Sequence, residues 1–272
     1  MNMQPAGETF AEALALFHRY SLQNPRTIEA MQRAGALPTA FSTDFAALDI
    51  GAGEGRLPAL FEPFVDTLVL VEPNPHCVER LRRRFREVHA EPWTELAMRR
   101  LRVAYPAGFD LVSMSHMIYH FGGIDDIRAK IALAFALVKP EGHLVIVVNH
   151  PDAPTAEVGI AFQESEGRSD EARTNHDLHA FCHQAGFYQE LLGREAEVGI
   201  HDIDTPLSGV PSREDLIRLL RMPLLDPGST SECDTEKLDA FIGDYLDAKY
   251  PGLAYPAAVP SRDQLIDIRR RS

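Results

Sequence analysis

Cysteine is scarce in this 272-residue chain. Its three cysteines, Cys77, Cys182 and Cys233, are widely spaced and form no Cys-x-x-Cys pair, so neither a disulfide framework nor a cysteine-held zinc site is expected. Long apolar runs are also missing. No stretch approaches the roughly 20 residues that a membrane span needs, and the opening MNMQPAGETF lacks a basic segment leading into an apolar one. The expectation is a cytoplasmic protein with no membrane contact. Positive charge is in short supply, with 27 Lys and Arg against 40 Asp and Glu, a formal net charge of −13. That balance argues against nucleic acid as a partner, because binding it depends on neutralising phosphates. The one basic cluster, Arg80, Arg82, Arg83, Arg84 and Arg86, shares an amphipathic stretch with Val78, Leu81 and Phe85 and reads as a solvated helix face. There is no internal repeat and no low-complexity tract. What remains is an ordinary globular composition, 45% hydrophobic and 25% charged, in a chain long enough to bury a real core.

The apolar pattern predicts helices within residues 8–36, broken at Asn24-Pro25 and closed at Gly35. A strand-turn-helix rhythm follows. Strands are expected at 46–50, 67–71, 87–90, 109–114, 143–149 and 187–200, with helices at 57–64, 75–87, 94–102, 124–138 and 175–185. Strands that are uniformly apolar and alternate with helices imply a doubly wound, mostly parallel sheet covered on both faces. After residue 202 the rhythm changes to helices at 212–222 and 235–249, with a last strand near 265–268. The domain reading is an N-terminal helical lid over 1–40 and an α/β core over 41–202. A helical substrate-side insertion over 203–260 and a terminal strand over 261–272 complete it. Ligands of such sheets bind beyond the carboxyl ends of the strands, where both helical segments would act as lids.

The informative stretch is LDIGAGEGR, residues 48–56. Gly51, Gly53 and Gly55 between a strand and a helix mean close approach of backbone to a ligand. A triphosphate loop would need a lysine followed by serine or threonine, and none is near. A dinucleotide loop is spaced Gly-x-Gly-x-x-Gly, whereas here Arg56 stands where the third glycine should fall. Asp49 and Glu54 would also repel a pyrophosphate. A cationic ligand would tolerate them, and S-adenosylmethionine carries a sulfonium and an ammonium. Glu72 closes the second strand 17 residues beyond Gly55, where a carboxylate can accept both hydroxyls of a ribose.

With LDIGAGEGR, VLVEPNP, FDLVSMSHMIYHF and LVKPEGHLVIVVN in that order, the chain resembles class I S-adenosylmethionine-dependent methyltransferases of Rossmann-like fold over about residues 45–200. Within them it is most similar to histamine N-methyltransferase-like small-molecule enzymes. The resemblance implies S-adenosylmethionine as cofactor and S-adenosylhomocysteine as product. It places Gly51, Gly53 and Gly55 against the methionine end, Glu72 and Pro73 at the ribose, and Glu91, Trp93 and Thr94 near the adenine. Ser115 falls just past the fourth strand, and Asp49 acts through water on the ammonium. His116, Tyr119 and His120 fall where that family lines its acceptor pocket. Two positions depart from it: Asn24-Pro25 stands where an acidic substrate contact belongs, and PSRDQ where an asparagine does. Both argue against histamine itself as acceptor.

His116 and His120 are four residues apart and would share a helix face; pocket lining, general-base duty and a structural role remain open for them, and no metal is expected. His176, His179 and His183 read as a solvated helix face, His201, Asp202 and Asp204 as a loop. Trp93 suits either a core or an adenine platform, and Tyr245, Tyr250 and Tyr255 either helix packing or an aromatic wall. The functional expectation is methylation of a small molecule, an amine or a specialised metabolite, by a monomer or homodimer. The alternatives are an O- or C-methyltransferase with a histidine base, or a catalytically silent module that keeps the cofactor site.

Overall fold

The computed structural model describes residues 10–167, 180–224 and 235–272. They form two compact units, each discontinuous in sequence. The larger is built from the described residues of 24–148, 178–203 and 264–272, the smaller from those of 1–23, 149–177 and 204–263.

Helix α1 spans Phe10–Tyr20 and α2 spans Gln23–Arg33. Asn24-Pro25 therefore opens a helix rather than breaking one, as proline is tolerated in a first turn whose N–H groups lack partners anyway. The Gln23 N–H is instead satisfied by the Ser21 hydroxyl at 3.1 Å. Strand β1 covers Ser42–Ile50, α3 the short Pro58–Phe61, β2 Val65–Val71, α4 Pro75–Arg82 and β3 Glu87–His89. Then come α5 over Glu95–Ala104, β4 over Phe109–Ser115, α6 over Ile124–Phe135 and β5 over Val138–Asn149. A helix not expected from the sequence, α7, covers Pro154–Ser165. Helix α8 is Ala185–Leu192 and β6 is Ala196–Asp204, so the first half of the expected 187–200 strand is helical. The remaining elements are β7, Leu207–Val210, α9, Arg213–Arg221, α10, Thr235–Lys249, β8, Ala257–Val259, and β9, Arg262–Arg270.

Seven strands form the main sheet in the order β3-β2-β1-β4-β5-β9-β6. Strands β1 to β5 pair in parallel, with Leu48 opposite Val69 and Val112. Strand β9 runs the other way: Arg262 meets His150, Asp267 meets His143 and Arg270 meets Val138. The sheet is mostly parallel and covered on both faces, as the apolar pattern requires. Because side chains alternate along a strand, Leu48, Ile50, Val112 and Met114 pack under α5, α6 and α8, with Trp93, Leu101, Ile131 and Tyr188 buried beside them. Ala47, Leu111, Val145, Val147 and Leu265 meet Ile28 and Met31 of α2 and Phe61 of α3 on the other face. Each such buried side chain contributes about 1.5–3 kcal/mol relative to exposure, which is why tertiary packing holds elements as short as α3.

The smaller unit has its own core. Leu16 and Phe17 of α1, Val158 and Phe162 of α7, Leu216, Leu219 and Leu220 of α9, and Leu238, Ile242 and Leu246 of α10 pack with the antiparallel pair β7-β8. This two-stranded sheet was not expected in a region that reads as helical. Charged contacts fix the helices: Arg213 donates to Asp247 Oδ2 at 2.8 Å and to the Gly243 carbonyl at 2.9 Å, and buried Arg221 holds both oxygens of Asp239. Tyr245 donates to Glu157 of α7 at 2.5 Å, so it packs between helices.

Candidate functional site

The carboxyl ends of β1, β2 and β4 meet at the glycine loop. The first turn of that loop folds back on β2, with the N–H groups of Gly51 and Ala52 donating to the Val71 carbonyl at 2.8 and 3.2 Å. Gly51, Gly53 and Gly55 all take positive φ, at 80°, 53° and 78°, which L side chains rarely adopt. The three differ in what they face. A Cβ on Gly55 would lie 2.6 Å from Leu81 and 2.7 Å from Phe85, and one on Gly51 would lie 2.9 Å from Met117. Gly53 has nothing within 4 Å, so its backbone is the part of the loop open to a ligand.

Glu72, 6% exposed, ends β2 beside this loop. Its Oε2 accepts the Gly53 N–H at 2.7 Å and its Oε1 the Asn74 N–H at 2.8 Å. Each oxygen has a second lone pair, so the carboxylate positions the loop and keeps acceptor capacity for paired hydroxyls. Pro73 follows directly, and Asn74 caps α4 by accepting the His76 N–H at 2.9 Å, a common way to start a helix. Asp49, 2% exposed, is the penultimate residue of β1. Its Oδ1 accepts from the Ser113 hydroxyl of β4. Burial pushes its carboxyl up to about 7, the Ser113 hydrogen bond pulls it back, and the neighbouring Glu72 charge adds to the rise. Glu54 in the loop is neutralised by Arg80 and Arg56. Helix α2, over the same face as Asp49, carries Thr27, 1% exposed, whose Oγ1 has no hydrogen-bond partner among the described residues.

Ser115 closes β4 half-buried, opposite Val147. His116 follows at φ 51°, and its N–H donates to the Val147 carbonyl at 2.9 Å. This left-handed step turns the chain out of the strand, and only a single 3-10 turn, Ile118–His120, comes after it. The expectation that His116 and His120 share a helix face is therefore corrected. No helix joins them, His120 is exposed, and it is the Tyr119 ring that stands 6.4 Å from the His116 ring, tilted by 33°. Met117, not singled out by the sequence, packs against Gly51.

The adenine-side residues expected from the sequence have structural partners. Trp93, 3% exposed, lies in the core and donates its indole N–H to the Lys130 carbonyl at 3.1 Å, while Lys130 Nζ returns a bond to the Trp93 carbonyl at 2.8 Å. Thr94 caps α5 by accepting the Ala97 N–H at 3.3 Å. Glu91 is paired with Arg100 at 3.0 Å. Of the second histidine group, His176 and His179 lie outside the described residues. His183 is half-buried with Nδ1 against Gln264 of β9, not on a solvated face. His201, Asp202 and Asp204 lie in β6, not in a loop. Cys77 is half-buried, Cys182 is buried, and Cys233 lies outside the described residues. No described helix is long and apolar enough to cross a membrane.

The donor set fits S-adenosylmethionine: an open glycine backbone, a ribose-competent carboxylate at the end of the neighbouring strand, and Asp49 and Glu72 without cationic partners among the described residues. A family model described as a methyltransferase domain matches residues 9–191. Nodulation protein S of Rhizobium tropici is 24% identical over 99 residues, which is 36% of this chain and 41% of that protein. The alignment thus spans less than half the length of that relative. Among solved structures, the BH2331 protein of Bacillus halodurans C-125 superposes with a TM-score of 0.52 at 16% identity, over 89% of this chain and 98% of that one. The plantazolicin methyltransferase BpumL, in complex with a triazolic desmethylPZN analogue and SAH, gives 0.51 at 12% identity, over 96% and 91%. These structural likenesses are likenesses of fold. The family model covers more than half of the chain on that same fold: the chain belongs to the methyltransferase-domain family and has the Rossmann-like fold of class I methyltransferases.

Proposed function

We propose that the enzyme methylates a small molecule, an amine nitrogen in the first instance, with His116, Tyr119 and His120 on the acceptor side of the cofactor. The observation that carries the reading is the left-handed turn at His116, φ 51°, directly after β4. Backbone strain of this kind persists only where the surroundings hold it and clusters at functional sites. Here it sets an imidazole and the Tyr119 ring side by side at the carboxyl end of the sheet. Bound S-adenosylmethionine supplies a methyl group on positive sulfur. The protein's part is to position: oriented reactants contribute on the order of 7–11 kcal/mol. An amine must be neutral to attack, and an aromatic, poorly hydrated surround favours that form. The resemblance to histamine N-methyltransferase-like enzymes in VEPNP, HMIYH and VIVVN supports nitrogen as acceptor, with Asn24-Pro25 pointing away from histamine itself.

A second reading is favoured by the same imidazole. His116 is half-buried, and an imidazole can take a proton from a hydroxyl or an activated carbon. The test is S-adenosylhomocysteine release with one pool of small amines and one of phenols, hydroxy acids and keto acids. Release with amines is expected, with turnover lowered in His116→Asn at near-normal cofactor affinity. Release with the second pool alone would overturn the amine reading and make His116 a base.

A further inference from the structure

Asp49 is a carboxyl group sealed from water near the end of β1, two positions before Gly51 opens the glycine loop. From β4 it meets the Ser113 hydroxyl, and from the end of β2 the field of a second carboxylate, Glu72. The charged side chains of the other surrounding elements are engaged elsewhere. Glu54 of the loop holds Arg80 and Arg56, Glu62 after α3 holds Arg84, and on α2 Arg26 and Arg33 both face Glu29. Thr27, facing the sheet from α2, brings only a hydroxyl. Among the described residues, neither Asp49 nor Glu72 has an ion-pair partner.

We propose that Asp49, held in place by Ser113, makes cofactor capture proton-coupled. The free site carries a protonated Asp49 carboxyl at weakly acidic pH, and binding of the cationic cofactor drives that proton into the solvent. The O–H bond of the carboxyl breaks, the proton goes to buffer, and the carboxylate left behind balances the positive charge that has arrived. Burial opposes the ionised form while no cation is present, and a cation nearby reverses that preference. Ser113 acts through Asp49, so it is a positioning residue: its hydrogen bond favours the carboxylate and holds Oδ1, which leaves Oδ2 to respond to the ligand. The inference rests on the cofactor and is independent of which acceptor the enzyme uses.

The test is titration calorimetry of the full chain with S-adenosylhomocysteine and with S-adenosylmethionine from pH 6 to 8, in buffers of different ionisation enthalpy. A group titrating at about 7 in the free protein limits affinity by its ionised fraction. Kd should therefore tighten about tenfold from pH 6 to 8, with close to one proton released at pH 6. Asp49→Asn should bind without that release and lose the dependence; titration of the ligand itself is common to both proteins and cancels in the difference. Ser113→Ala should move the midpoint to higher pH, and Ser113→Thr should move it back. A flat wild-type curve, or equal proton release in Asp49→Asn, overturns the coupling. An unmoved midpoint in Ser113→Ala overturns the role of Ser113 and still decides the matter if Asp49→Asn fails to fold. Absence of binding at every pH would be a different result, removing the cofactor assignment itself.

Discussion

The two ends of the main sheet treat their acids in opposite ways. At the amino ends of the strands three acids have basic side chains as partners. Asp110 takes Lys139 Nζ at 2.7 Å and the Ala46 N–H at 2.8 Å, Asp267 takes His143 Nδ1 at 2.7 Å, and Glu141 takes Arg269. At the carboxyl ends Asp49 has a hydroxyl and Glu72 two backbone N–H groups. The difference between these two sets is charge: Asp110 and Glu141 face cations, whereas among the described residues Asp49 and Glu72 face none. Acids that stabilise a fold come with their counter-charges, whereas acids that bind a cation cannot.

That contrast can be broken most sharply at Glu72. Glu72→Ala removes the acceptor of two N–H groups and of the ribose. Hydrogen bonds to a charged group contribute about 1.5–3 kcal/mol each, so affinity for S-adenosylhomocysteine should fall by on the order of 100-fold. Unchanged affinity in calorimetry would remove Glu72 from the cofactor site. Next come two matched neutralisations with opposite signs. The Asp49 carboxyl is raised in the folded chain from 3.8 to about 7, so its ionisation opposes folding. This group costs the free protein stability as pH climbs from about 4 to about 7, with the full loss present above that. Asp49→Asn should therefore gain roughly 2–4 kcal/mol in urea unfolding at pH 8 and little at pH 4. Asp110→Asn, losing its lysine, should instead cost about 1–2 kcal/mol and leave cofactor affinity alone. Losses of equal size in both variants would erase the distinction between the ends. The smallest effect is expected at Arg269→Ala, whose pair with Glu141 is about half-exposed on both sides. Its Tm should stay within about 2 °C of the parent.

The sheet and its loop were legible because their signals are local. Uniform apolar strands, three glycines in five residues and an acid at the next strand's end each follow from a few adjacent positions. Helix α8 was misread because Gly186 looks like a helix stop, yet it is the second residue of the helix. Phe187, Tyr188, Leu191 and Leu192 have helical spacing, and Tyr188 is anchored through its hydroxyl to the Cys182 carbonyl at 2.7 Å. Helix α7 begins at Pro154, and its buried face is made of Val158 and Phe162 with the small residues Thr155 and Ala156. The β7-β8 pair joins strands of four and three residues some fifty positions apart, and no window of sequence contains both. At the site, Asp49 and Glu72 were readable from their place at strand ends. Ser113 and Met117 were not, because their roles arise across the sheet, at Asp49 and Gly51. Trp93 suits a core or an adenine platform by sequence, and in the structure its indole N–H donates to the Lys130 carbonyl in the core.

Strand β6 touches the main sheet only through β9, which lies between it and β5. During synthesis, β6 leaves the ribosome about sixty residues before the strand that must join it to its neighbours. The five strands β1 to β5 are paired in parallel without it, and β5 would be their open edge. Residues 262–270 thus supply the hydrogen-bonding partner of two edges at once, and without them both β5 and β6 would present unpaired backbone.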